Sequence, residues 1–490
     1  MRSEVEKSIK MLKNNKSCGV DGIPAEMIKA SGSKTVDKIW EVCKQIWETE
    51  IWPDDWCKSI VVPIPKKGDL TECCNYRTIA LIPHVCKIML NIVLHRVRGV
   101  ITDNLSDEQG GFRKDYSTVQ QILILRLIAE DRLAKNKNLY HCFVDFKKAF
   151  DSVWHRGLWA SLKAMETPGK AIRVLNNLYE KSEMAVKTKG GLSRWVRTTI
   201  GSRQGDPLSP LMFLALLEKI MEIMECGATG GINVQGRIIK DLRFADDIDL
   251  LAETETDLQK LTTELYESGK SYGLMINREK TKVMAMGKDV TADIRIEDTN
   301  VELVDKFVYL GSLITRDNNC SQEIRRRISI ATGVYGSLNE IWKNKKISIK
   351  NKLHLLDSCV MSTLLYACEL WTLKKDDRKT LDAFEMKCYR RMLRFGWAEK
   401  RTNDSIRSQI NRMKTVTTKV MERKMSLFGH ICRMKDDRIL KMVLFAVTDG
   451  KRKRGKPARR WLDDITEWSG KSVWMAKREA EQRKGYRARR

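Results

Sequence analysis

The sequence lacks several features that would place it in other classes of protein. No stretch is apolar enough to cross a membrane, because the most apolar long run, Leu355–Leu373, is interrupted by Asp357 and Glu369. The 13 cysteines are scattered and odd in number, which argues against a closed disulfide framework. The first residues are charged and helix-like, unlike a signal peptide. We therefore expect an intracellular, reduced protein.

Cysteine and histidine clusters with the spacing of zinc ligands are also missing. Cys73 and Cys74 are adjacent in the sequence, and His430 and Cys432 have no partners at zinc-ligand spacing. The sequence contains no internal repeat and no low-complexity segment. We therefore expect no zinc site at these residues.

Acidic residues are scarce relative to basic ones. The 490 residues include 90 Lys and Arg against 63 Asp and Glu, which gives a formal net charge of +27. So large a positive charge favours a polyanionic partner, and nucleic acid is the first candidate, although such charge can also serve solubility alone. The length corresponds to roughly three domains.

Two short acidic stretches carry the chemistry that the sequence suggests. In Phe143–Asp151 and Phe244–Asp247, an aspartate ends an apolar, strand-like run. An unpaired charge there is costly unless it binds something. Two such carboxylates can hold a pair of divalent cations ~3.5–4 Å apart, the arrangement used in nucleotidyl transfer.

The pattern around these stretches predicts alternating strands and helices. Apolar alternation predicts a strand over 139–146, and Asp246 and Asp247 are predicted at the tip of a hairpin over 240–252. Asp206 is a candidate N-cap for the helix that follows it. From about residue 320 the pattern is almost wholly helical. Helices are predicted over 81–97, 120–134, 151–164, 208–224 and 257–272, and short strands over 282–286, 294–296 and 307–310.

A series of motifs in this order resembles the reverse transcriptase of non-LTR (LINE-class) retrotransposons. Besides the two acidic stretches, the resemblance rests on segments 17–26, 75–81, 108–113, 202–210, 273–281 and 307–311. It implies an α+β, right-hand polymerase fold of fingers, palm and thumb with a helical, basic C-terminal extension. The implied division is N-terminal extension and fingers over 1–138, palm over 139–315, thumb-like helices over 316–440 and a basic tail over 441–490.

The resemblance also implies the catalytic roles. Asp145, Asp246 and Asp247 would bind two Mg²⁺ ions, with Mn²⁺ as a possible substitute, and the main-chain carbonyl of Phe146 would be a further ligand. Lys280 would protonate the pyrophosphate leaving group. The implied reaction is RNA-directed DNA synthesis from dNTPs on a DNA primer.

A second set of residues is expected to hold the substrates. Arg77 and either Lys66 or Lys67 would grip the triphosphate, because guanidinium and ammonium groups both pair with phosphate. Phe150 would exclude a 2′-hydroxyl, unless it is an ordinary core residue. Gln204 and Gly205 would meet the incoming nucleotide, and the primer grip would comprise Tyr309, Leu310 and Gly311.

The C-terminal tail is a separate candidate nucleic-acid site. Seven of the ten residues over 451–460 are basic, and Arg454–Pro457 resembles the core of an AT-hook, a minor-groove reader. A nuclear-import signal or a plain phosphate patch fits equally well. Trp461, Ile465 and Trp468 form a stripe that predicts core packing rather than base stacking. The candidate tail contacts are Arg452, Arg454, Lys456, Arg459 and Arg460.

Three functions remain open at this point. The first is a working reverse transcriptase, which we expect to be nuclear and to carry no endonuclease domain in this chain. The second is a non-catalytic nucleic-acid-binding remnant, which the intact aspartates disfavour. The third is an RNA-templated RNA polymerase, which Phe150 disfavours.

Overall fold

Helices and short strands alternate along the chain, and the computed structural model describes residues 2–66, 68–227, 229–446 and 458–482. The strands are β1 (Lys58–Pro65), β2 (Tyr76–Leu81), β3 (Leu139–Val144), β4 (Glu183–Thr188), β5 (Gly191–Leu192), β6 (Val196–Arg197), β7 (Ile232–Val234), β8 (Arg237–Ile239), β9 (Asp241–Phe244), β10 (Asp247–Ala252), β11 (Lys282–Met286), β12 (Arg295–Ile296), β13 (Thr299–Asn300), β14 (Glu302–Leu303), β15 (Lys306–Tyr309) and β16 (Ser312–Thr315).

The helices fall into two groups. Those up to residue 271 are α1 (Arg2–Met11), α2 (Ala25–Ala30), α3 (Ser33–Thr49), α4 (Asp54–Cys57), α5 (His84–Asp103), α6 (Thr118–Ala134), α7 (His155–Ala164), α8 (Gly169–Glu180), α9 (Ser209–Gly227) and α10 (Glu255–Ser271). Those after residue 319 are α11 (Cys320–Ser337), α12 (Asn339–Lys343), α13 (Ile349–Leu355), α14 (Ser362–Leu364), α15 (Lys375–Leu393), α16 (Asn403–Gln409), α17 (Val416–Cys432), α18 (Ile439–Phe445), α19 (Trp461–Ser469) and α20 (Val473–Glu481).

The central sheet has the strand order β14-β11-β3-β10-β9, with β3 in the middle. Every residue of β3 is buried, because hydrophobic cores cover both faces of the sheet. Cys142 and Val144 belong to one core, whereas Leu139 and Phe143 belong to the other. This alternation confirms the predicted division of the strand between two faces.

A second sheet, which we call the outer sheet, has the order β2-β1-β4-β5, with β6 also paired to β4. β1 is parallel to β4, and this pairing covers only the first four residues of β1, Lys58 to Val61. Pro63 follows two residues later and has no N–H to donate, so it suits a stretch without that neighbour. β4 to β6 lie within the range predicted as palm, so the predicted boundary at residue 138 does not separate the two sheets.

Several element limits differ from those predicted. α5 begins at His84, after Pro83, and runs to Asp103. α7 begins at His155 because Ala149–Asp151 form a short 3₁₀ turn instead. α9 begins at Ser209, so Asp206 is not its N-cap; its Oδ1 accepts a hydrogen bond from Leu208 N at 2.7 Å in the preceding turn. The strands over 183–197 and 232–239 were not predicted, whereas β11 has the predicted limits.

The C-terminal helices are part of the body of the protein. Trp461 and Ile465 of α19 and Ala476 and Ala480 of α20 lie in the same hydrophobic core as Phe143 of β3. This confirms core packing for the first two members of the aromatic stripe, and the third, Trp468, packs against the core beneath α11 and α15. Across the described ranges, no helix combines the length and the apolarity that a membrane crossing requires.

Candidate active site

Three carboxylates meet at one end of the central sheet. Val144, the last residue of β3, pairs with Ile248 of β10, so Asp145 follows at the end of the sheet where Asp247 begins β10. Asp247 also pairs with Phe244 across the β9–β10 turn, and Asp246 lies in that turn. The structure therefore brings together the three aspartates that the sequence predicted as metal ligands.

These carboxylates are electrostatically unsatisfied. Burial raises the pKa of Asp246, and the charge of Asp145 raises it further. Burial, followed by the charges of Asp246 and Asp145, raises the pKa of Asp247 to about 6. Among the described residues, Asp145 Oδ2 is buried and accepts no hydrogen bond, although Lys280 Nζ lies 3.5 Å away as an ion-pair partner. A cation bound between the aspartates would offset both the cost of burying their charges and the repulsion between them.

The donor set fits divalent cations that share their coordination with a substrate. Within the described ranges, no group of three or more His, Cys, Asp or Glu side chains is arranged to hold a metal ion by itself. Mg²⁺ is ordinarily bound by one or two carboxylates together with water and substrate phosphates, so a complete protein cage is not required. Reverse transcriptases as a family are divalent-metal dependent.

The segment after α10 supports Asp145 from the side. Asp145 N donates to Thr281 Oγ1 at 3.3 Å, and Asn277 N donates to Asp145 O at 2.7 Å. Lys147 N donates to Met275 O at 2.8 Å. These two main-chain bonds flank Phe146: one uses the carbonyl of Asp145 and the other the N–H of Lys147, and neither uses the carbonyl of Phe146. The predicted role of the Phe146 carbonyl as a metal ligand therefore stays compatible with the local pairing.

A buried histidine–aspartate pair joins β3 and β10 a few residues away from the three aspartates. His141 Nδ1 of β3 lies 3.0 Å from Asp249 Oδ2 of β10, and both side chains are fully buried. Burial raises the pKa of Asp249, and the histidine opposes that rise. The contact is diagonal across the strand pair, because Asp249 is directly opposite Phe143. It therefore helps fix the register that places Asp145 beside Asp247.

Phe150 lies between the aspartates and the predicted nucleotide loop. Its half-buried ring stacks on Phe213 of α9, with ring centroids 4.4 Å apart, and meets Phe112 edge-on at 6.4 Å. Its carbonyl accepts hydrogen bonds from Ser202 N at 2.7 Å and Ser202 Oγ at 3.0 Å. The ring is thus held in place with one part still exposed, as a residue that contacts a sugar requires.

Gln204 joins three parts of the structure. Its Oε1 accepts a hydrogen bond from Thr78 Oγ1 of β2 at 2.8 Å, and its Nε2 donates to Asp151 Oδ1 at 2.5 Å. Gly205 has φ +85°, and a Cβ at this position would lie 2.4 Å from Ala80 O, so only glycine fits against β2. The loop is therefore fastened to the outer sheet on one side and to the segment after Phe150 on the other.

The predicted triphosphate ligands lie on the β1–β2 hairpin. Lys66 N donates to Asn75 O at 2.7 Å, and Arg77 of β2 pairs with Ile64 of β1. Arg77 is exposed and, by strand alternation, points to the face opposite Thr78 and Gln204. A grip on the triphosphate remains a prediction for Lys66 and Arg77, and Lys67 lies outside the described residues.

The predicted primer grip is the turn between β15 and β16. The Tyr309 side chain is buried, and its hydroxyl donates to Leu242 O at 3.3 Å, so it anchors the hairpin to β9. Leu310 O accepts from Tyr366 Oη at 2.8 Å, and Gly311 O accepts from Arg327. Any contact with a primer would therefore come from other groups of this turn, and the predicted role stays untested.

The basic residues of the tail are distributed between described and undescribed segments. Arg452, Arg454 and Lys456 lie outside the described residues. Arg459 pairs with Asp464 at 2.6 Å and with Glu467, and Arg460 pairs with Asp463 at 2.9 Å. Arg459 and Arg460 thus neutralise acidic residues of α19, and phosphate contacts by them would compete with these pairs.

Two contacts near the site involve residues to which the sequence assigned no role. The Gln109 side chain reaches the turn that carries Asp246, and the Thr78 hydroxyl orients Gln204. Neither residue is charged, and a neutral polar side chain in a loop or strand gives no periodic or electrostatic pattern. The glycines after Gln109, which permit close backbone approach, were the available indication.

Comparison with known proteins agrees with this geometry. The family model described as "Reverse transcriptase (RNA-dependent DNA polymerase)" matches residues 64–314, slightly more than half of the 490 residues. The Drosophila melanogaster protein described as "Probable RNA-directed DNA polymerase from transposon X-element" is 24% identical over 417 residues, which cover 81% of this chain and 44% of that protein. A transposon-derived protein of Caenorhabditis elegans is 32% identical over 245 residues, which cover 48% of this chain and 86% of that protein.

A solved structure of telomerase from Candida tropicalis, in complex with a fragment of telomeric RNA, aligns with a TM-score of 0.41 and 15% identity. The alignment covers 86% of this chain and 72% of that one. The chain spans less than half of the X-element protein. The family match and the carboxylate geometry together show that the chain belongs to the reverse transcriptase family, has its right-hand polymerase fold, and is related to the polymerases of non-LTR transposons.

Proposed function

We propose that this chain is an RNA-directed DNA polymerase that extends a DNA primer on an RNA template with dNTPs and Mg²⁺. The observation that carries the proposal is the convergence of Asp145, Asp246 and Asp247 at the end of two paired strands. The family match over residues 64–314 and the net charge of +27 support a nucleic-acid substrate.

The proposed mechanism assigns each group a task. Asp145 and Asp246, with Asp247 beside them, would hold two divalent cations. When bound, the cations would neutralise charge on the attacking and leaving oxygens of an in-line displacement. Lys280, 3.5 Å from Asp145, would donate a proton to the departing pyrophosphate. Phe150 would lie against the sugar, and Gln204 would position the incoming nucleotide.

Primer extension tests this proposal directly. We expect purified protein to extend a labelled DNA primer annealed to RNA when dNTPs and Mg²⁺ are present, and not when a chelator removes the metal. Replacing dNTPs with rNTPs distinguishes the proposed activity from an RNA polymerase. Template binding without extension by dNTPs or by rNTPs would favour the non-catalytic alternative.

A substitution at Phe150 tests sugar selection. Since the ring is held by stacking on Phe213 with part of it exposed, Phe150→Val should open space for a 2′-hydroxyl. We expect rNTP incorporation relative to dNTP to rise about tenfold or more. A pocket that differs by a few carbon atoms typically changes the preference between two substrates by about this factor. The measurement is the ratio of kcat/KM for each sugar on one template.

Phe213→Leu is the matched control, because Phe213 contacts the same ring but is itself buried. It should lower stability and, because the Phe150 ring is kept but loses its stacking partner, change the sugar ratio less than Phe150→Val does. If Phe150→Val leaves the ratio unchanged, Phe150 is a core residue and sugar selection must be sought elsewhere.

A further inference from the structure

One neutral side chain binds both main-chain groups of the residue before Asp246. Gln109 is 1% exposed, and its Oε1 accepts hydrogen bonds from Ala245 N and Gly111 N, each at 2.8 Å. Its Nε2 donates to Ala245 O at 3.3 Å. The side-chain amide thus makes the two hydrogen bonds to Ala245 that a neighbouring strand would make within a sheet.

Ala245 requires such a partner for two reasons. It is buried, with 6% of its surface exposed, so its N–H and C=O groups would otherwise be unsatisfied. Its φ of +58° is a left-handed conformation that costs a residue with a Cβ roughly 1–2 kcal/mol. The adjacent Asp247–Phe244 pair is in the strand ladder, but Ala245 and Asp246 are not. The conformation that aims Asp246 therefore depends on contacts from outside the hairpin.

The segment that carries Gln109 lies directly against this turn. Gly110 N donates to Arg243 O at 2.8 Å, and Arg243 N donates to Glu108 O at 3.0 Å, which extends the edge of the sheet beyond β9. At Gly111 a Cβ would lie only 2.2 Å from Ala245 N. The two backbones touch, so a displacement of this segment would displace the turn.

We propose that Gln109 is a positioning residue for the polymerase reaction, which holds the Ala245–Asp246 turn so that the Asp246 carboxylate faces Asp145. This inference rests on the proposed function. A glutamine suits the position because its amide offers an acceptor and a donor at one end of an uncharged side chain. An ionised glutamate would keep the acceptor but place a second acceptor against Ala245 O, and methionine would offer neither bond.

The chain provides a matched control at Gln121. This glutamine of α6 is also 1% exposed, and its Nε2 donates to Glu108 O at 3.0 Å, in the same segment. Gln121→Met therefore removes a buried amide of the same size without removing a bond to the Ala245 turn. Differences between Gln109→Met and Gln121→Met report on the turn itself.

The experiment compares wild type, Gln109→Met, Gln109→Glu and Gln121→Met on one primer–template. For Gln109→Met we expect kcat to fall about 10²-fold, the effect expected when a reacting group is misplaced by about 1 Å. The Kd for primer–template should stay within about twofold, because no nucleic-acid contact is removed. Gln109→Glu should fall between wild type and Gln109→Met, and Gln121→Met should keep kcat within about threefold.

A second readout does not depend on catalysis. Mn²⁺ binding to each protein, followed by electron paramagnetic resonance without nucleotide, should be weaker for Gln109→Met than for Gln121→Met. Equal kcat and equal Mn²⁺ affinity in these two variants would overturn the inference. If wild type extends no primer, the proposed function fails, and the Mn²⁺ comparison still decides whether Gln109 positions the carboxylates. Should Gln109→Met fail to fold, the isosteric Gln109→Glu carries both measurements.

Discussion

Replacing Asp246 by asparagine is expected to lower primer extension about 10³-fold or more, while the affinity for primer–template stays within a few-fold of wild type. Asparagine keeps the shape of the side chain but removes the charge that would bind the cations. A loss of about 4 kcal/mol of transition-state stabilisation corresponds to this factor. The measurement is single-turnover extension with saturating dNTPs, together with a binding titration.

Asp305→Asn is the control for this substitution. Asp305 precedes β15, its side chain is 78% exposed, and its ion pair with Arg316 is 3.9 Å long. The variant should extend primer at the wild-type rate. Extension by Asp246→Asn at a rate similar to Asp305→Asn would rule out the carboxylates as the reaction centre.

Replacing Lys424 by methionine is expected to lower the free energy of unfolding by about 3–5 kcal/mol, because it leaves Asp464 buried with part of its charge unpaired. Lys424 Nζ of α17 lies 2.6 Å from Asp464 Oδ2 of α19, and neither side chain is exposed. The ammonium also donates to Trp371 O at 2.9 Å and lies 4.7 Å from the centre of the Trp461 ring. Urea denaturation followed by circular dichroism measures the change.

The neighbouring pair Arg460–Asp463 provides the comparison, since both side chains are about one-third exposed. Asp463→Asn should cost no more than about 1 kcal/mol, as is usual for exposed pairs. A Lys424→Met variant as stable as Asp463→Asn would show that the buried pair does not hold α19 in place.

The packing of α19 and α20 in the core determines which variants can test the basic tail. A deletion of residues 451–490 would remove α19 and α20 and expose the core shared with Phe143. Neutralising Arg452, Arg454 and Lys456 keeps α19 and α20 in the chain and measures the contribution of these three side chains to nucleic-acid binding. An AT-hook would then be recognised by preference for A·T duplexes.

The elements that carry the carboxylates could be predicted because local pattern determines them. β3 and β10 are apolar runs that end or begin at aspartates, and the turn between β9 and β10 follows from the same short stretch. The family motifs identified the remaining contributors in order. Nothing in the structure tests the roles of Lys66, Arg77 or the primer grip, which remain predictions.

The features that could not be predicted depend on distant pairing. β4 has only one buried residue among its six, and its parallel contact with β1 is what joins it to the β1–β2 hairpin. From the sequence alone, Lys424 is expected to be a solvated helix residue, because its buried partner Asp464 is 40 residues away. Gln109 lies in a loop, and its importance depends on Ala245, which is far away in the sequence.

The parallel pairing of β1 with β4 also affects how the chain can fold during synthesis. Glu183, the partner of Lys58, is made after all of β3, so at about 5–20 residues per second roughly ten seconds separate the two strands. Throughout that interval one edge of β1 is open and able to pair with another nascent chain. Pro63 and Pro65 lie in β1 and cannot donate hydrogen bonds to an incoming strand. Because both prolines lie beyond Val61, they limit the part of this edge that can pair with a foreign strand to Lys58–Val61, the same four residues that β4 later covers.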